Sequence, residues 1–98
     1  MVLLKHEENG SIECLYESSN VLGSKYIKND KKLAVIFKSG SQYVYSDVTY
    51  EDYRKFELAK SQGKILNSVV KGHEYEKSPN KVDVTPMVEQ INSIKETL

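Results

Sequence analysis

The chain has one cysteine, one arginine, two prolines, no tryptophan and no apolar run longer than five residues, and its formal charges cancel. Each scarcity removes a class of explanation. The single Cys14 cannot form an internal disulfide, and His6 and His73 stand apart from it in sequence, so neither a disulfide scaffold nor a Cys/His metal site is expected. Cys14 reads instead as a small buried apolar residue. The longest apolar runs, residues 2–4 and 33–37, fall far short of the roughly 18 residues that span a bilayer. Lys5, His6, Glu7 and Glu8 follow the first run at once and leave no secretory h-region. A cytoplasmic setting with no membrane partner is therefore the expectation. With Arg54 as the sole guanidinium, bidentate recognition of phosphate or guanine is poorly supplied, although lysine point charges remain available.

What is present is an ordinary globular balance, 39% hydrophobic and 29% charged over 98 residues, enough for one domain. A domain this short buries only roughly two thirds of the surface of its unfolded chain. A deep enclosed cavity would compete with the core for the same apolar residues, so a shallow surface site is expected. The charges are unevenly spread: residues 1–17 sum to −3, residues 18–77 to +4 and residues 78–98 to −1. The basic middle suits an anionic partner, and a surplus of this size is also that of an ordinary solubility surface.

Residues 2–6 and 12–16 flank Asn9-Gly10, a pair that readily supplies the two positive φ angles of a tight hairpin turn. In the second of these strands Ile12, Cys14 and Tyr16 share one face and Glu13, Leu15 and Glu17 the other. After the turn residues Ser18-Ser19-Asn20, extended patterns cover 21–27, 33–37 and 42–45, punctuated by Lys28-Asn29-Asp30-Lys31 and Lys38-Ser39-Gly40-Ser41. These segments form an antiparallel meander.

The hydrophobic period changes at Asp47 or Thr49, with Thr49 the candidate N-cap and Glu51 and Asp52 in the first helical turn. This helix is expected to reach about Ser61; Tyr53, Phe56, Ala59 and Lys60 share one face, and Tyr53 and Phe56 should pack on the sheet. Gln62-Gly63 interrupts, and Ile65, Leu66, Val69 and Val70 mark a second short helix over 64–70 that Gly72 closes. Residues 74–76 return as a brief strand. Ser78-Pro79-Asn80 reads as a linker, and Thr85-Pro86 as the N-cap and first residue of an amphipathic helix to Leu98, with a stripe through Val88, Ile91, Ile94 or Lys95, and Leu98. The fold class is α+β: an antiparallel meander of about three to five strands under two short helices, plus an N-terminal hairpin and a C-terminal amphipathic helix.

Residues 18–75 resemble the KTSC domain, a family found at the C-terminus of some lysyl-tRNA synthetases and as small stand-alone proteins of bacteria and their phages. The resemblance rests on Ser18-Ser19-Asn20-Val21, Tyr26, the strand closing at Phe37, Lys38-Ser39-Gly40, Tyr43-Val44-Tyr45, Asp47-Val48, Tyr53, Phe56, Ala59, Ser61-Gln62-Gly63-Lys64, Asn67 and Val70. The chain departs from the family where Thr49 replaces a proline and Leu66 an aromatic residue. On this basis residues 1–17 are an N-terminal extension, 18–77 the KTSC-like domain, and 78–98 a linker and helix. The resemblance implies architecture, no established reaction and a suggested tie to RNA.

Tyr43 and Tyr45 share a strand face and offer rings on which bases could stack. Ser61, Gly63, Lys64 and Asn67 stand where a helix start would present amides and a positive charge to a phosphate, without the spacing of a P-loop. No nucleophile, base and orienting group can be assembled: Glu51 and Asp52 diverge by about 100° on a helix, and neither histidine has a partner in catalytic spacing. The expectation is a non-enzymatic module without cofactor or metal. It binds RNA or another single-stranded nucleic acid through Lys25, Tyr43, Tyr45, Lys64, Asn67 and Ser19. Two other readings stay open: a phage or mobile-element protein that binds a host protein or sequesters a small nucleotide, and self-association through the C-terminal helix.

Overall fold

The computed structural model describes every residue, Met1 to Leu98. Six strands form one antiparallel sheet in chain order: β1 (Val2–Glu8), β2 (Ser11–Tyr16), β3 (Val21–Ile27), β4 (Lys32–Phe37), β5 (Gln42–Tyr45) and β6 (Tyr75–Lys77). Two helices, α1 (Tyr50–Leu58) and α2 (Gln62–Val70), lie between β5 and β6, and α3 (Thr85–Glu96) ends the chain. The hairpin of β1 and β2 continues the meander, which raises the strand count to six. Its turn takes the conformation that Asn-Gly invites, with positive φ at both Asn9 and Gly10. No helix is long and apolar enough to cross a membrane.

Strand alternation divides the sheet into two faces. On one, Ile12, Cys14 and Tyr16 of β2, Tyr26 of β3, Leu33 and Val35 of β4 and Tyr45 of β5 join Tyr53 and Phe56 of α1 and Leu66 and Val69 of α2 in the main core. The Tyr26 and Tyr53 rings stack at 4.4 Å, and Tyr16 meets Phe56 edge to face at 5.4 Å. Such pairs add about 0.5–1.5 kcal/mol each beyond the area they bury. On the other face Leu15, Leu22 and Ile91 form a smaller core with Leu3, Val84 and Met87, which seats α3. The protein is thus three layers deep.

Helix boundaries differ from the sequence reading for identifiable reasons. Thr49 caps α1 as expected, its hydroxyl accepting from the Asp52 amide at 3.2 Å. The helix stops at Leu58, however, and the next begins at Gln62. Gln62 causes both shifts: its buried Nε2 donates to the carbonyls of Phe56, Glu57 and Ala59, so one side chain satisfies groups that the end of α1 leaves open. Tyr53 and Phe56 pack on the sheet as expected, and Lys60 is exposed in the joint. Thr85 is the first helical residue of α3, not its cap; Val84 stands at that position, and Asp83 accepts from the Thr85 amide at 3.0 Å. The buried stripe of α3 runs through Val84, Met87 and Ile91, leaving Val88 and Leu98 exposed. Its phase is set by the bulge at Val21–Gly23, where Met87 settles against Gly23.

Candidate functional site

The helix-covered face of the sheet is longer than α1 and α2 can roof. Where β4 turns into β5 it opens into a recess of about 480 Å³ lined by Asn20, Phe37, Lys38, Ser39, Ser41, Tyr43, Tyr45, Gly63, Leu66 and Asn67. That volume lies within the roughly 300–1,000 Å³ of small-ligand sites. Its floor is aromatic. Tyr43 and Tyr45 point to the same face with ring centroids 6.2 Å apart and planes 18° from parallel, and Phe37 meets Tyr43 edge-on at 5.7 Å.

β6 lies beside this floor, outside the recess lining. Its register sets Tyr75 opposite Tyr45 and Lys77 opposite Tyr43. Tyr75 comes within 5.7 Å of Tyr43 and 5.9 Å of Tyr45, and the Lys77 ammonium stands 5.7 Å from the Tyr43 ring centroid. The three tyrosines play unequal parts. Tyr45 is 8% exposed and belongs to the core, and burial raises its hydroxyl above the ordinary tyrosine value. Tyr43 is half-buried and Tyr75 is 60% exposed, so these two present the accessible ring surface.

One wall is the start of α2. Gly63 lies within the helix and not at a bend, and a Cβ built there would find ordinary contacts with Asn20 at 3.5 Å and the Ser18 hydroxyl at 3.9 Å. Its absent side chain leaves the wall low beside Asn20. Ser61 makes no side-chain cap and the first turn of α2 carries no acid, so its opening amides face no competing carboxylate on their own helix. The opposite wall is the β4–β5 turn, closed by bonds from Gly40 N–H to the Phe37 carbonyl and from Phe37 N–H to the Ser41 carbonyl, both 2.9 Å.

Of the residues singled out from the sequence, Tyr43, Tyr45 and Asn67 line this recess. Ser19 does not; it is exposed in the β2–β3 turn, where the Ser18 hydroxyl accepts from the Asn20 and Val21 amides and Asn20 takes the inward position. Lys64 is exposed on α2 next to a lining residue but outside the lining itself. Lys25 belongs to the other sheet face, paired with Glu13 at 3.5 Å, because its register with Glu13 and Ala34 points it away from Tyr26 and Ser24. Lys38, Tyr75 and Lys77 escaped the sequence reading. Their approach to Tyr43 depends on strand pairing; the alternation of residues 42–45 marks the face, but nothing local marks its neighbours.

The remaining cluster of reactive side chains is sealed. Glu57, 3% exposed, accepts from Tyr53 Oη at 2.8 Å and Arg54 Nη1 at 2.8 Å, and it pairs with Lys5 Nζ at 3.2 Å. Cys14 Sγ lies 3.8 Å from the same carboxylate and 3.5 Å from Tyr53 Oη. Burial pushes both the Cys14 thiol and the Tyr53 hydroxyl up, which disfavours the thiolate a nucleophile would need. Every buried side-chain polar atom has a partner. No three His, Cys, Asp or Glu side chains gather as a metal site would require.

A model of the KTSC domain family matches residues 17–75. The structure is also similar to the crystal structure of a KTSC domain protein from Yersinia pestis, with a TM-score of 0.64 and 25% sequence identity, covering 69% of this chain and 97% of that one. A search of curated proteins found no match. The family match includes β3, β4, β5, α1 and α2, and with them every lining residue of the recess. It leaves β1, all of β2, the last two residues of β6 and α3 outside.

Proposed function

The chain belongs to the KTSC domain family, and on that footing we propose that it is a non-enzymatic module that binds single-stranded nucleic acid across the tyrosine recess. The observation that carries this reading is the coincidence of accessible aromatic surface with unneutralised lysine. Of the eight lysines with no carboxylate within 4.0 Å, Lys38 lines the recess, Lys77 stands over the Tyr43 ring and Lys64 is next to a lining residue. A base stacks on the Tyr43 and Tyr75 rings, Asn20 and Asn67 offer amides to its edge, and Lys38 faces the backbone phosphate. Lysine serves here as a point charge, which suits contact with phosphate irrespective of sequence.

A non-enzymatic role is supported by a recess that gathers hydroxyls, amides and ammonium groups, with the acid–thiol cluster closed inside the core. Fluorescence anisotropy with short RNA and DNA oligonucleotides at about 50 mM salt, where phosphate contacts are strongest, is the test. Binding should be detectable and should weaken roughly 5- to 150-fold in Tyr43→Ala, the span that corresponds to losing one stacked base. Lys25→Ala, on the far face, should bind as the parent does. Absence of binding to either polymer under these conditions rejects the reading; stabilisation by mononucleotides alone would replace it with nucleotide capture.

A further inference from the structure

Residues 77–82 lie beyond the family match, yet they are built onto the β4–β5 turn that walls the recess. After β6 the chain keeps to the edge of β5: the Ser78 amide donates to the Gln42 carbonyl at 2.9 Å and the Val82 amide to the Gly40 carbonyl at 2.8 Å. The apparent linker at Ser78-Pro79-Asn80 is therefore a strap along the β4–β5 turn. Gly40 is shaped for it. Its φ of +89° favours glycine, and a Cβ there would stand 2.9 Å from the Val82 carbonyl and 3.3 Å from Lys81 Cβ. The Lys81 stem lies across the α-carbon of Gly40, between the recess residues Ser39 and Ser41. Neither Lys77 nor Lys81 has a carboxylate within 4.0 Å.

We propose that this strap is part of the binding site, with Lys77 and Lys81 taking successive backbone phosphates of a single strand that runs past the base seated on Tyr43. The inference rests on the function proposed above and extends it from one nucleotide to a track. Lys38, Lys77 and Lys81 flank the same turn, and an extended polyanion is the ligand chemistry that uses several unneutralised ammonium groups in a row. In the free protein the Lys77 ammonium caps the Tyr43 ring. A stacked base takes that ring face, and the flexible four-carbon stem of Lys77 leaves its charge free for phosphate. Because the strap lies outside residues 17–75, the track is an addition of this chain to the family's recess.

The test is the salt dependence of oligonucleotide binding by the full chain, comparing the parent with the Lys77→Gln/Lys81→Gln double variant. Lys31→Gln/Lys32→Gln, altered at the opposite end of β4 from Lys38, is the control. Both pairs are exposed, so both variants should fold, which circular dichroism verifies. Each phosphate that the variant no longer neutralises should lower the slope of log K against log salt by about 0.7. The strap variant should thus lose roughly sevenfold less affinity than the parent between about 50 and 200 mM salt. The gain in affinity from a dinucleotide to a hexanucleotide should shrink in parallel, with the control unchanged. A parent that binds oligonucleotides while the strap variant keeps its full slope and length dependence overturns this inference alone. A parent that binds none removes the reading beneath it as well.

Discussion

Glu57 shows how a single charge can organise this small core. Its carboxylate is almost fully buried, but Lys5 and Arg54, which neutralise it, are each about a third exposed. Removing the carboxylate lets both cations return to water and leaves the Tyr53 hydroxyl, buried in the core, without its acceptor. Glu57→Ala should cost about 2 kcal/mol in urea unfolding, chiefly for the stranded hydroxyl. Lys5→Ala should cost no more than about 1 kcal/mol, as expected of a partly solvated pair. If Lys5→Ala proved the more damaging, the ion pair and not the hydroxyl would dominate.

The buried tyrosines add a pH dependence of definite sign. Burial holds the hydroxyls of Tyr16 and Tyr53 above the ordinary tyrosine value of 10.0. In the unfolded chain these groups ionise near that value, and in the folded chain they stay protonated. Their contribution to stability is therefore complete below about pH 10 and is lost as the pH rises past it. Urea midpoints should fall steeply above that point, and a flat alkaline profile would mean that the two hydroxyls ionise as easily folded as unfolded.

Among the helices, α3 is the most lightly held: Ile91 is its only buried residue, against three each in α1 and α2. Its seat depends on Gly23, where a Cβ would stand 2.7 Å from Met87 Cε and 2.9 Å from the Cys14 carbonyl. The methionine tip can give way, but the carbonyl sits in the β2–β3 pair. Gly23→Ala should destabilise by about 1–3 kcal/mol and speed amide exchange across residues 85–96. Adding Met87→Ala should recover only part of that stability, since the clash with the carbonyl remains. Exchange in α3 that stays at the parent rate would show that the bulge does not set its seat.

The elements also show what the sequence could disclose. Strands were legible where alternation is strong: Ile12, Cys14 and Tyr16 face the main core, and Leu15, set apart from them by period, lies under α3. Thr49 declared its helix by ordinary capping chemistry. The α1–α2 joint was not legible because it depends on three carbonyls meeting one glutamine, a tertiary arrangement with no local signature. The α3 stripe was misphased for a similar reason: several apolar residues could define it, and the β-bulge chose Met87 over Val88. At the site, Tyr43 and Asn67 carried signals of type and position. Lys38, Tyr75 and Lys77 became neighbours only through the pairing of β4, β5 and β6.

At the scale of the whole molecule, the sheet keeps two chemically different faces. The one under α1 and α2 ends in a tyrosine floor bordered by unpaired lysines, while Lys25 on the other is matched to Glu13 and lies on the side that α3 partly covers. A formal charge of zero therefore hides a local surplus beside accessible aromatic rings. The most direct measurement is an amide chemical-shift titration of the full chain with a single-stranded RNA hexamer at low salt. Saturable shifts should gather at Asn20, Lys38 to Ser41, Tyr43, Asn67 and Lys77 to Val82. A spectrum unmoved by excess RNA, or shifts centred on Lys25 and α3, would contradict the assignment of the recess as the binding surface.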